Sequence, residues 1–169
     1  LLTKLKAAGA PVDAYGMQGH FELGDESMTE LRETFDALRE LEIQVVVSEL
    51  DIDVVGRGRW WAEDGKYREE LATFDPYKDG MPAEIEKQLR DQYVELFKLF
   101  DEYSDVIARV SFWNLHDGQS WLNGFPWKRI NHPLLFDRAG KPKPALHAVY
   151  RFLTNPEANQ KHNAAGQRE

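Results

Sequence analysis

The stretch Gln44–Asp53, QVVVSELDID, decides the fold. Val45, Val46 and Val47 form a β-branched run suited to a buried strand. Glu49, Asp51 and Asp53 follow at alternate positions. Alternate residues on a strand share a face, so the three carboxylates crowd together at the strand's C-terminal end. Two readings are open for this stretch alone. One is a strand running out into an acidic loop; the other is the active-site rim of an α/β barrel, where functional side chains gather at strand C-termini.

Outward from that strand, the chain alternates strand and helix. Leu1–Ala8 reads as the last turns of an amphipathic helix stopped by Gly9 and Pro11. Val12–Gly19 is strand-like, with Gln18 and His20 on one face and two glycines, Gly16 and Gly19, that allow close approach of backbone or ligand. Ser27 with Glu30 forms a capping-box pattern, and Met28, Leu31, Phe35 and Leu38 recur at helical spacing. After the central strand comes an irregular stretch, 56–80, rich in aromatics (Trp60, Trp61, Tyr67, Phe74, Tyr77). Pro82 opens a helix whose apolar stripe is Ile85, Leu89, Tyr93, Leu96, Phe100 and Tyr103. Ile107–Leu115 reads as a third strand, 116–141 as a second long loop, and Pro144 opens a final helix with Leu146, Val149, Tyr150 and Leu153 inward. The polar tail 155–169 lacks aromatics and is expected to fray.

Regular strand–helix alternation implies a parallel sheet with helices outside. Three parallel strands leave edges and a sheet face uncovered. The loops after the strands are long and the loops before them short, an asymmetry typical of a (β/α)8 barrel, which needs ~200 residues or more. The expected fold class is therefore α/β, with residues 1–154 forming the C-terminal portion of a TIM barrel, about strands six to eight, incomplete on its own.

Bulk properties narrow the function. The 169 residues are 42% hydrophobic and 30% charged, ordinary for a globular chain. A net charge of −8 argues against a nucleic-acid backbone as partner. The absence of cysteine excludes disulfides and thiolate metal sites and leaves the compartment open. No apolar run is long enough to span a membrane. Ser27, Ser111 and Ser120 lack the G-x-S-x-G setting of a serine hydrolase, and no phosphate loop or dinucleotide fingerprint occurs. His116 and Asp117 are adjacent and point apart, so no metal site is expected there. Asp117 reads as a loop brace and Arg129 as a brace of the rim.

Four blocks carry a resemblance: GMQGH at 16–20, SELDI at 48–52, FWNLHDGQSW at 112–121 and NHPLLFDRAGKPKPAL at 131–146. In order and in spacing, across about residues 1–153, they resemble the C-terminal part of glycoside hydrolase family 10 endo-β-1,4-xylanases. Ser48 stands where threonine is usual, Asn114 where glycine is usual, and Phe21 where a larger aromatic is common. The resemblance implies that Glu49 is the catalytic nucleophile, hydrogen-bonded by His20, which Asp51 in turn orients. It implies Gln18 as a substrate-binding group, and Trp113 and Trp121 as sugar platforms. It also implies xylan or xylo-oligosaccharide as substrate, no cofactor, no metal, and a secreted, periplasmic or cell-surface location. The family's acid/base glutamate lies in a W-D-V-V-N-E-type motif that this sequence lacks. The expectation is thus a retaining xylanase that acts only with the N-terminal half of its barrel, on the same gene product or a second chain. The alternatives are a non-catalytic xylan-binding protein or an inactive barrel fragment. Trp60, Trp61 and Tyr67 fall outside the matched blocks and read as either a self-packed loop or a cleft extension on the leaving-group side.

Overall fold

The computed structural model describes residues 1–57 and 69–155. Trp60, Trp61, Tyr67 and the tail beyond Asn155 lie outside the described residues. Within them the elements run α1 (Leu2–Ala7), β1 (Ala14–Met17), β2 (His20–Glu22), α2 (Met28–Glu40), β3 (Gln44–Asp53), α3 (Ala83–Glu102), β4 (Ile107–Phe112) and α4 (Pro144–Thr154). Two short 3₁₀ turns, Asp117–Gln119 and Trp121–Asn123, sit in the loop between β4 and α4.

β3 is the centre of a parallel sheet. β1 and β2 pair with it one after the other along one edge, and β4 pairs along the other. The expected strand through residues 12–19 is therefore one strand position broken at Gln18–Gly19. Gly19 causes the break: it holds φ +88°, and a Cβ there would stand 2.8 Å from Val47 Cγ1. Only glycine takes this conformation at low cost.

The register hides a second irregularity. From Met17↔Val47 to His20↔Asp51, β3 takes four steps where its neighbour takes three. The β4 pairing shifts over the same interval, between Val47 and Leu50. β3 thus carries a bulge, one extra residue, at Ser48–Glu49. Its effect is legible in burial. Val45 and Val47 are fully buried in the core, and beyond the bulge the fully buried apolar residues become Leu50 and Ile52. Strict alternation would have put Glu49, Asp51 and Asp53 on the face of Val45 and Val47, inside that core. The extra residue flips the parity and turns the carboxylates to the opposite face.

The core lies between the sheet and its helices. Leu31, Phe35 and Leu38 of α2 and Leu89, Tyr93, Leu96, Leu99 and Phe100 of α3 are buried in it. Each such side chain contributes about 1.5–3 kcal/mol relative to leaving it exposed. The capping box expected at Ser27 does not form. Ser27 caps α2 without a side-chain hydrogen bond, and its own N–H donates to Asp25 Oδ1 at 2.9 Å, a local Asx turn. α4 also differs from its expected facing. Ala145 and Val149 are buried, whereas Tyr150 and Leu153 are exposed. The helix packs along the i, i+4 stripe of Ala145 and Val149, and its apolar arc is wider than the surface that covers it. No helix among the described residues is long and apolar enough to cross a membrane.

Candidate active site

The bulge delivers Glu49 and Asp51 to the C-terminal end of the sheet, where β2 brings His20 between them. His20 Nδ1 lies 2.8 Å from Asp51 Oδ1 and Nε2 lies 3.1 Å from Glu49 Oε2. Backbone bonds fix the two strands at this level: Glu49 N–H donates to Gln18 O at 2.7 Å and Asp51 N–H to Gly19 O at 3.2 Å. Ser48 Oγ donates to Met17 O at 3.3 Å, so a serine fills this position with its hydroxyl satisfied. The side chain of Glu49 is 22% exposed and that of Asp51 is 1% exposed. Glu49 keeps partial access to solvent; Asp51 is buried.

Burial lowers the basicity of His20, but the hydrogen bonds and charges of Asp51 and Glu49 outweigh it, and the imidazole pKa rises above its ordinary value of 6.5. An imidazolium donates from both nitrogens, so the charged form satisfies both carboxylates at once. A carboxylate so held is oriented and partly exposed, which suits nucleophilic attack.

Two tryptophans reach the cluster from the loop after β4. Trp113 follows β4 directly, its N–H bonded to Leu50 O at 3.2 Å, and is 45% exposed. Its ring meets His20 edge-on at 6.3 Å. Trp121 donates Nε1–H to Asp51 Oδ2 at 2.8 Å, lies 4.9 Å from the His20 ring, and stacks on Phe125 at 5.0 Å. Gln18 is exposed at the break between β1 and β2, and its side chain has no hydrogen-bond partner among the described residues. All six residues singled out from the sequence therefore collect at one end of the sheet. Phe125, which backs Trp121, was not singled out. The only hint of it was an aromatic four residues after Trp121.

The braces lie one layer out. Asp53 Oδ1 accepts from Val55 N–H, Gly56 N–H and Asn131 Nδ2, at 3.1, 3.0 and 2.6 Å, and Oδ2 pairs with the buried Arg129. Asp53 is thus a buried strand residue and a junction between loops, not part of the loop itself. Arg129 also donates to Gly56 O and Leu122 O and lies over the Trp127 ring. Asp117, fully buried, accepts from Leu134 N–H and Lys143 Nζ. Burial pulls the Lys143 pKa down and Asp117 partly restores it. His116 turns back on its own loop, where Nδ1 accepts from Gly118 N–H at 3.1 Å. Among the described residues, no group of three His, Cys, Asp or Glu side chains is placed to hold a metal ion. Asn114 Oδ1 is buried without a partner among the described residues, a position that ordinarily costs about 1–3 kcal/mol.

Comparison with known proteins places this arrangement. The model of glycosyl hydrolase family 10 matches residues 1–152. Endo-1,4-beta-xylanase A of Xylanibacter ruminicola is 34% identical over 158 residues, covering 90% of this chain and 42% of the relative. An endo-1,4-beta-xylanase of Geobacillus stearothermophilus is 33% identical over 153 residues, covering 88% of this chain and 41% of the relative. Among solved structures, a GH10 endoxylanase from a sugarcane soil metagenome superposes with a TM-score of 0.76 at 37% identity, covering 88% of this chain and 42% of that one. The chain thus spans about two-fifths of the length of these relatives. Its four-strand α/β unit, with every strand parallel, is a piece of the barrel those structures share, and the chain belongs to glycosyl hydrolase family 10, a family of TIM barrels.

Proposed function

We propose that this chain is the nucleophile-bearing part of a retaining endo-β-1,4-xylanase. The observation that carries the reading is the linked set Glu49–His20–Asp51 at the C-terminal end of the sheet. In this reading residues 1–154 are strands six to eight of the barrel with their helices. β1 and β2 together are the sixth strand, β3 the seventh and β4 the eighth. Apolar surface at both flanks fits that placement. A groove of about 630 Å³ between α1, Tyr15 and α2 opens on one side, and Tyr150 and Leu153 of α4 lie exposed on the other. The rest of the barrel, in the same gene product or a second chain, covers both and supplies the acid/base glutamate.

The chemistry follows from the geometry. Retaining hydrolysis places two carboxyl groups ~5–5.5 Å apart across the glycosidic bond. Glu49 attacks the anomeric carbon and forms an ester as the acid/base group protonates the leaving oxygen. Water, deprotonated by that same group, then opens the ester and releases the sugar with its configuration retained. Two carboxyl groups and water complete the balance, so no cofactor enters. Before attack His20 holds Glu49 in line. As the glutamate's charge is consumed, the imidazolium remains balanced by Asp51. Trp113 and Trp121 wall the sugar on the glycone side and Gln18 meets a hydroxyl. Xylan lies outside the cell, and the enzyme acts there, as a secreted, periplasmic or surface protein.

The test is hydrolysis of xylan by the intact protein, with product stereochemistry followed by proton NMR. Cleavage with retention is the expected result, and Glu49→Gln lowers kcat on the order of 10⁴-fold while xylan binding persists. This chain alone is inert and regains activity when the remaining barrel segment is added. Robust turnover by the chain alone would sink the divided-site reading. Binding without hydrolysis by the unsubstituted intact protein would replace the enzyme with a xylan binder.

A further inference from the structure

The two site tryptophans are not equivalent. Trp113 is 45% exposed and meets the cluster only edge-on, through His20. Trp121 has one ring face stacked on Phe125 with planes 21° apart, its Nε1–H bonded to Asp51 Oδ2, and the His20 ring 4.9 Å away. The turn that carries it is held on three sides. Ser120 Oγ accepts from Leu122 N–H, Arg129 Nε donates to Leu122 O, and Asn123 Nδ2 donates to the carbonyls of Asp117 and Ser120. Trp113 is the more open of the two; Trp121 is built in.

We propose that Trp121 is a positioning residue: its indole N–H fixes the Asp51 carboxylate, which sets the orientation of His20 and, through it, the aim of Glu49. The inference rests on the function proposed above. Three hydrogen bonds make the line continuous, at 2.8, 2.8 and 3.1 Å. Indole N–H can only donate, so Asp51 Oδ2 must present a lone pair to it. Oδ1 then accepts from His20 Nδ1–H, which aims the Nε2–H of the imidazolium at Glu49. Asp51 is 1% exposed, so bulk water cannot stand in for the indole. A buried carboxylate oxygen without its donor is strongly destabilised, and the carboxylate then rotates toward another donor, releasing His20. The groups that face His20 among the described residues are Glu49 and Asp51 from β3 and the rings of Trp113 and Trp121. The raised His20 pKa agrees with a tightly held Asp51.

The experiment is Trp121→Phe in the intact protein. It keeps an aromatic ring and removes the donor. Steady-state kinetics on xylo-oligosaccharides and the NMR titration of His20, by selective histidine labelling, are the two readouts. The expected result is a kcat lower by about tenfold or more with KM within about twofold, and a His20 midpoint that falls toward 6.5. Trp113→Phe is the contrast, with a raised KM and a His20 midpoint where it was. A Trp121→Phe variant whose KM rises while kcat and the His20 midpoint stay put would overturn the proposal and make Trp121 a platform only. The His20 midpoint decides any mixed outcome. If the unsubstituted intact protein does not cleave xylan, the proposed function fails, and the His20 midpoint alone still decides this inference. If Trp121→Phe does not fold, the Trp121 indole N–H resonance of the unsubstituted protein decides. It must move through the His20 titration, and an indole signal that stays still overturns the coupling.

Discussion

Asp51 and Asp53 stand two residues apart on β3, both about 1% exposed, and both reach the loop that follows β4. Their partners differ in kind. Asp53 meets Arg129, a cation that keeps its proton at any working pH, and three N–H donors fixed by the chain. Asp51 meets His20, which titrates near neutrality, and one indole N–H. The first set is a brace that joins two loops. The second is adjustable, because one of its members, His20, is a side chain that changes charge with pH. Residue type, strand and burial are shared, so partner chemistry alone separates the two roles.

The comparison breaks most visibly at Asp53. Replacing it with alanine leaves Arg129 buried without its counter-charge, and removing one member of a buried pair costs about 3–5 kcal/mol. Urea unfolding of the intact protein followed by tryptophan fluorescence measures this. Asp51→Asn keeps the shape, and its stability loss is expected to be clearly smaller. Equal losses would mean that both carboxylates are braces.

Asp51→Asn should instead appear in catalysis. Its amide presents one acceptor and one donor, but both Trp121 Nε1 and His20 Nδ1 need acceptors. One of the two bonds is lost in either flip. A hydrogen bond to a charged group contributes about 1.5–3 kcal/mol, so kcat/KM is expected to fall about 10- to 100-fold. Asp53→Asn should change kcat/KM far less at temperatures where it remains folded. Xylo-oligosaccharide kinetics on the two variants side by side read the difference.

How far the sequence itself told these carboxylates apart follows from distance along the chain. Helix and strand order were legible because periodicity is local: Leu31, Phe35 and Leu38 announce α2, and Val45–Val47 announce β3. The acidic face was legible too, but its direction was not. Alternation ties Glu49, Asp51 and Asp53 to the face of Val45 and Val47, and only the bulge at Ser48–Glu49 separates them. Nothing in SELDID marks an extra residue, since a bulge is defined by neighbouring strands. The brace at Asp53 was not legible, because its partners, Arg129 and Asn131, lie 76 and 78 residues away. Tyr150 and Leu153 were placed inward because apolarity marks an arc of a helix, not the part of it that finds a neighbour. The resemblance named His20, Glu49, Asp51 and both tryptophans. It said nothing of the indole bond that makes Trp121 unlike Trp113.

Gly19 offers a sharper cut, because it lies on the Asp51 side only. Gly19→Ala forces a side chain into φ +88° and against Val47, a strain of about 1–3 kcal/mol. Gly19 O accepts from Asp51 N–H and the adjacent Gln18 O from Glu49 N–H, so relief of the strain displaces the catalytic end of β3. Loss of activity is expected at temperatures where unfolding monitored by circular dichroism has not begun. Full activity in a destabilised variant would detach the strand break from the site.

The smallest effect is the most selective. His20 has a folded pKa above the 6.5 of the free side chain, so its proton is bound more tightly in the folded protein. Its contribution to stability is therefore fully present below about pH 6.5 and is lost as pH rises through the folded pKa. The stability difference between the unsubstituted protein and His20→Gln should shrink over that window, measured by thermal unfolding between about pH 5 and pH 9. The difference between the unsubstituted protein and Asp53→Asn should stay level over the same range, since Arg129 does not titrate there. Two level lines would place His20 outside the charge balance of Asp51 and Glu49. Two sloping lines would mean that the Asp53 brace shares the titration, and that one network, not two, joins the ends of these strands.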